Sequence, residues 1–416
     1  MSRHRPLTKT AAEGEAIAAF DAGVASANQR AAFARFASLG LPNRRTESWH
    51  YTDFRAALTH FAPLAPAPDS SAVEAARATL ASEPKTGAAR FVLVNGYFVA
   101  ALSDPAPAGV SLDPSPEDVA IPADSDPVLA LTAALARGGL TLHVGEGADA
   151  GRVEILRIDA APAMAVFSRF GVRLGSGAKL TVFERHIGAV EDTQRFEFAS
   201  LTLAAQARLE HVVAIEDEAA LHIESVTADL AEGAELRGFG FVSAGAFVRR
   251  QIFAGHRQPH ASLAFSGLSL LSGSRRADST LEVTHGAPLG KSREFFRHIV
   301  ADEAVGTYQG KVIVAPHAQK TDGGMKSQAI LLSPTAVMNN KPELEIFADD
   351  VVCGHGATVG ALDPEQVFYL EARGIPRAEA EAMLLEAFGV EAIDRVEDEG
   401  LAEALKARLA AWLAKR

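Results

Sequence analysis

The segments GAKLTVFERHI (Gly177–Ile187), QARLEHVVAI (Gln206–Ile215), GAELRGFGFV (Gly233–Val242) and HASLAFSGLS (His260–Ser269) share one opening, a residue followed by Ala-x-Leu. Their leucines fall at 180, 209, 236 and 263, spacings of 29, 27 and 27 residues. Each opening leads into a strand-like run, and further strand patterns lie between them: FEFASLTL, HIESVTADL and RRQIFAGH. A strand-rich unit recurring at this period cannot bury its apolar face alone, which predicts stacked coils around a shared core. Paired hairpins would show two-residue turn signals between partners, and these are mostly missing. The pattern favours a parallel β-helix, with an antiparallel sandwich second.

Outward from the repeat the texture changes on both sides. The first sixty residues read as helical, with AAFARFASLG closing at Gly40 and Pro42. FAPLAPAPDSS reads as a linker, and ARFVLVNGYFVAAL as a small hairpin turning at Asn95-Gly96. A second Pro-rich stretch, Asp104 to Pro127, leads to a short helix, VLALTAALARGG, stopped by Gly138-Gly139. Beyond Gly360, Asp363-Pro364-Glu365-Gln366 supplies an aspartate cap, a proline at the first helical position and a glutamine placed to close a capping box. Leu401, Leu405, Leu409 and Trp412 then mark one face of a last helix. The expected division is 1–137, an N-terminal helical domain with a hairpin and Pro-rich linkers; 138–362, the β-helix; and 363–416, a C-terminal helical domain.

Composition excludes several classes. The chain has 416 residues, 48% hydrophobic and 22% charged, with 40 Lys+Arg against 52 Asp+Glu and a net charge of −12. That balance argues against broad binding to nucleic acid or anionic membrane, which needs a basic face. One cysteine excludes an internal disulfide and a four-cysteine metal or cluster site built from this chain alone. No apolar signal core opens the sequence, and FVLVNGYFVAAL is too short to span a bilayer. The expectation is a soluble, cytoplasmic protein.

GAPLGKS (Gly286–Ser292) approaches a phosphate loop but has three residues between its glycines where four are needed, one of them Pro288. It reads as a turn between strands, so no nucleotide site is expected. His211, His222, His256 and His260 fall on different strands and turns and read as scattered. The acids of AIEDEAALHIE read as a solvated edge rather than a catalytic pair, and no G-x-S-x-G elbow occurs. DDVVCGHGATVG (Asp349–Gly360) is the stretch with chemistry in it. On a strand, Cys353 and His355 face one side, and an imidazolium beside a thiol lowers its pKa toward a thiolate that ligates iron or attacks. The other reading is a small buried hydrophobe. Two ligands make half a site, so a metal here would draw others from elsewhere, such as another subunit.

The run from Lys320 to Ile375, with KPELEIFADDVVCGHGATVG at its centre, resembles the SufD family of iron–sulfur cluster assembly proteins. The N-terminal LPNRRTESWHYTD is similar to that family's proline, basic residues, Glu-x-Trp and Tyr-Thr. The resemblance implies a right-handed parallel β-helix flanked by N-terminal and C-terminal helical domains. It implies a non-enzymatic subunit that pairs edge to edge with a SufB-like paralogue and carries a SufC-like ATPase on its C-terminal helices. On this analogy His355, with Cys353 as neighbour, is the candidate ligand for a transient iron or iron–sulfur cluster at the paralogue interface. Phe368, Tyr369 and Arg373 lie in the stretch that would meet the ATPase. SufB-type chains are generally longer and use a cysteine to receive sulfur; this compact chain with one thiol is closer to the SufD version. The competing reading is a stand-alone β-helix enzyme acting on polysaccharide. A scaffold needs an exposed sheet edge and an apolar face on its helical tail, both covered by partners, and its bare edge predicts a homodimer when isolated.

Overall fold

The structure is a computed structural model and describes residues 9–87, 89–115, 118–160, 162–187 and 192–416. From Gly138 to Gly360 the described chain runs through sixteen strands that alternate between two sheets. Each strand pairs in parallel with the strand two further on, so two strands and two turns make one coil of a β-solenoid of about eight turns. Leu180 lies beside Leu209, Leu209 beside Leu236, and Leu236 beside Leu263. The sequence period is thus the length of one coil. The same row continues through Ser292 and Gly323 to Cys353.

The four-residue opening is a turn device. Gly177, Gln206, Gly233 and His260 hold φ of 68°, 60°, 65° and 61°. The left-handed residue swings the chain into the next strand, and the alanine after it (Ala178, Ala207, Ala234, Ala261) is fully enclosed. Leu289 and Lys320 repeat this conformation in later coils, with φ of 63° and 62°. GAPLGKS is therefore a coil turn: the Leu289 N–H donates to the Gln319 carbonyl of the next coil at 2.9 Å. Gly177, Gln206 and Lys320 donate in the same way to Ala205, Glu232 and Asp350.

The interior has two halves. Next to the leucine row, Val182, Leu201, Val226, Leu230, Phe265 and their neighbours form a continuous apolar core. Toward the other end of the strands the inward positions become charged: Arg157, Glu184, Arg195, Glu197, Glu224 and Arg250 are all buried. Arg157 bridges Glu184 (2.8 Å) and Glu197 (3.3 Å), and Arg195 pairs with Asp159 (2.5 Å) and Asp217. This corrects part of the reading of AIEDEAALHIE as a solvated edge: Asp217 and Glu224 turn inward onto Arg195 and Arg250, while Glu218 stays exposed. Of the four histidines read as scattered, His260 stays exposed on a coil turn, but the other three are buried and partnered. His211 reaches Glu184 at 2.5 Å, His222 reaches Glu197 at 3.2 Å, and His256 meets His285 at 3.0 Å.

Helices cover the outer faces. The N-terminal layer lies on the nine-stranded sheet, where Trp49, Phe54 and Phe61 pack with Phe167, Phe196 and Ile223. Trp49 donates its indole N–H to Asp126 at 2.7 Å, and the Arg249 guanidinium lies 3.7 Å over its ring. The ESWHYTD segment is thus an anchor. The presumed linker is also pinned: Phe61 packs on Phe167 and Leu64 bridges Ala165. Asn95 and Gly96, both at positive φ, turn the expected hairpin, pairing Val94 with Tyr97. On the ten-stranded sheet, helices Arg377–Ile393 and Glu399–Leu413 set Leu385, Ile393, Leu401, Leu405 and Leu409 against Phe183, Phe241 and Leu268. One apolar face of these two helices is therefore buried within the chain. No described helix is long and apolar enough to cross a membrane.

Because every coil leans on the next through the leucine row, Leu236→Ala is expected to cost about 2–5 kcal/mol, read as a lower urea midpoint.

Candidate functional site at the open end

The two sheets finish differently at their two ends. At the first coils, the antiparallel strands Tyr97–Phe98 and Val110–Asp113 close the ladders. At the last coil, Val337–Ile346 and Val352–Gly360 each pair on one side only and form the outer edges. Val352 donates its N–H back to Thr321 at 2.9 Å, so by alternation Cys353, His355, Ala357 and Val359 turn theirs outward. Most of Val352–Gly360 is exposed. Bare edges of this length are pairing surfaces unless something covers them.

Exposed apolar side chains collect at this end. Of the eleven large exposed hydrophobics among the described residues, eight lie between Val337 and Met383. They include Phe347, Val352 and Val359 around the last coil, and Phe368 and Tyr369 on helix Pro364–Glu371. Val367 anchors that helix by burial, leaving Phe368 71% and Tyr369 55% exposed. Arg373 folds back with its guanidinium 3.5 Å over the Tyr369 ring. Phe368, Tyr369 and Arg373 thus stand together on one exposed surface just beyond the last strand.

Cys353 and His355 share the inward parity of the last coil. Cys353 sits over Gly323. His355 sits over Met325, which in turn covers Glu294. The thiol is half-buried and packs against the edge of the main core, while His355 is exposed and no described side chain bonds it. Burial holds the Cys353 thiol above its ordinary pKa, with the Gly323 backbone N–H pulling weakly the other way. Besides burial, the groups that act on the thiol are Gly323, Asp322, Glu294 and Arg293. The pair offers an open imidazole and a protonated thiol on the rim of an uncapped core.

Behind them is a feature that the sequence reading missed. Glu294, His298, Tyr308 and Ser327 are enclosed beneath the last coils, and neither Glu294 oxygen has a hydrogen-bond partner. Burial pushes the Glu294 carboxyl up to about 8 and the His298 imidazole down to about 3, so both are neutral near pH 7. The signal was present in REFFRHIV (Arg293–Val300), where Glu294, Phe296 and His298 share one strand parity.

Two predictions arise from these groups. Alkylation of Cys353 by iodoacetamide should follow an apparent pKa above that of a free thiol, and His355→Ala should leave that profile in place. A profile shifted downward in wild type and lost in the variant would show a coupled pair instead. Glu294 stays protonated in the folded chain while its unfolded counterpart ionises near 4.5. Its contribution to stability is thus full below about 4.5 and lost as pH rises toward about 8, on the order of a few kcal/mol. Glu294→Gln should flatten this slope and make the chain more stable than wild type at pH 8, measured by urea titration across that range.

Comparison with known proteins covers both the solenoid and this end. Residues 156–388 match the family model described as SUF system FeS cluster assembly, SufBD core domain. The chain is similar to the iron–sulfur cluster assembly protein SufD of Escherichia coli (strain K12), 31% identical over 382 residues, 89% of each chain. It is 36% identical over 132 residues to an iron–sulfur cluster assembly SufBD family protein of Synechocystis, covering 32% of this chain and 29% of that one. It is also 32% identical over 136 residues to the SufD of Bacillus subtilis, 32% and 30% of the two chains.

Proposed function

We propose a role that proceeds from one fact: the chain belongs to the SufD branch of the SufBD family of SUF-system iron–sulfur cluster assembly proteins. The role is that of a non-enzymatic scaffold subunit. Its bare last coil pairs with the corresponding edge of a SufB-like paralogue, extending both sheets across the contact. A SufC-like ATPase docks on the C-terminal helices, where Phe368, Tyr369 and Arg373 meet it. A transient iron or iron–sulfur cluster forms at the paralogue interface, with His355 as this chain's ligand and Cys353 packed beside it.

The observation that carries this reading is the coincidence of the uncapped sheet edges with the Cys353–His355 pair and the exposed apolar residues. A scaffold needs those three features in one place. A polysaccharide-cleaving site needs paired carboxylates open to a groove, and the carboxylates gathered inside this solenoid are buried against guanidiniums.

The test is anaerobic co-purification of the chain with SufB-like and SufC-like partners, comparing wild type with His355→Ala. The complex should assemble in both, and the variant should lose most of its iron and sulfide. Equal cluster content would remove His355 from the ligand set, and failure to assemble would reopen the partner assignment. Isolated at high concentration, the chain should pair through the same edge and scatter light as a homodimer. Ala357→Pro deletes one outward N–H without touching the inner ladder and should return it to monomer.

A further inference from the structure

Three buried side chains from three strands converge in the polar half of the interior. His186 ends strand Lys179–Ile187 of the ten-stranded sheet, whereas Glu197 and His222 come from Gln194–Leu203 and Leu221–Leu230 of the nine-stranded sheet. Glu197 Oε2 lies 3.3 Å from His186 Nε2 and 3.2 Å from His222 Nε2. The two rings stand edge to face, 4.4 Å between centroids. One ligand atom from each residue falls within 4.8 Å of the other two. A tetrahedral ion with bonds of about 2.1 Å holds its ligand atoms about 3.4 Å apart, close to the two separations observed here.

Two independent features point to a cation. His186 Nδ1 and His222 Nδ1 have no hydrogen-bond partner, and the Nε2 atoms of both rings converge on one carboxylate oxygen, Glu197 Oε2, although both rings are enclosed. Orphaned polar atoms are rare in a packed interior and call for an explanation. The charge around them is also unbalanced. Arg157, Arg195 and Arg250 are ringed by Asp159, Asp217, Glu184, Glu197 and Glu224, five carboxylates to three guanidiniums, with the His211 imidazole also on Glu184. A buried excess of this sign is compensated by protons or by a metal.

We propose that His186, Glu197 and His222 bind one divalent first-row transition metal ion, which clips the two sheets together inside the solenoid. Two imidazoles and one carboxylate suit zinc or ferrous iron. The site lies within the solenoid, away from the open-end residues, and does not rest on the role proposed above.

The test uses the full-length chain carrying His355→Ala, so that the open end contributes no imidazole. The chain is refolded with Zn2+ or, anaerobically, with Fe2+, then passed through gel filtration with a chelator and its metal measured. Retention of about one equivalent per chain in either arm is expected, and the two arms identify the ion. Glu197→Gln keeps the shape but removes the charge, and His222→Asn removes a ligand; both should lose the metal while eluting as folded protein. Co2+ refolded into the same chain gives a second readout, a visible ligand-field band that is expected with Glu197 in place and absent from the Glu197→Gln variant. Absence of retained metal in both arms would overturn the proposal and leave protons as the compensating charge. Equal retention in the ligand variants would overturn it as well.

Discussion

A parallel coil cannot satisfy its own backbone. Its strands find their hydrogen-bond partners only in the coils before and after, so the stack is one-dimensional and has two ends that need separate solutions. This constraint organises the molecule. The first coils are finished by the short antiparallel strands Tyr97–Phe98 and Val110–Asp113, which belong to the N-terminal segment that also carries the helices over the nine-stranded sheet. The last coil has no such closure within the described chain. Its chemistry-bearing residues, its exposed apolar side chains and its free backbone groups occupy the same end because that end is where the ladder stops.

The interior shows a second division, between an apolar half and a polar one. The apolar half has the leucine row and behaves as an ordinary core. The polar half sets guanidiniums, carboxylates and imidazoles in layers that repeat with the coils, for example Glu197 beside Glu224 and Arg195 beside His222. In a low-dielectric interior these charges favour the register in which each carboxylate reaches a guanidinium, as Glu197 reaches Arg157 and Glu224 reaches Arg250 although the two carboxylates stack on each other. The leucine row holds the coils together, and the charged layers help to fix which residue of one coil meets which residue of the next.

Much of this architecture was legible from the sequence, for a physical reason. The Ala-x-Leu opening recurs because four successive coils use the same left-handed residue, a side chain small enough to be enclosed, and an inward leucine. The helix signals around Asp363-Pro364 and at Leu401, Leu405 and Leu409 are local and hold in the structure, except that Asp363 caps its helix through the Glu365 N–H without the capping box expected of Gln366. The polar interior was hidden because charged residues on a strand are ordinarily read as its solvent face. Glu184, His186, Arg195, Glu197, His222 and Glu224 instead continue the inward parity of the apolar residues beside them, and only pairing across coils reveals that they meet. For the candidate site, the shared face of Cys353 and His355 followed from alternation alone. The raised thiol pKa did not, since it depends on how deeply the last coil buries the sulfur.

The spacing between stacked residues carries one more implication. Neighbouring positions in the leucine row are separated by 29, 27 and 27 residues, while the strands themselves keep strict register. Differences in length are absorbed at the corners, and the ladder counts only whole coils. Growth or shortening of such a molecule is therefore quantised: a corner can gain residues without altering the axial rise, but a change along the axis must add or remove a complete lap of chain. The distance from the sealed end to the bare rim is set by an integer.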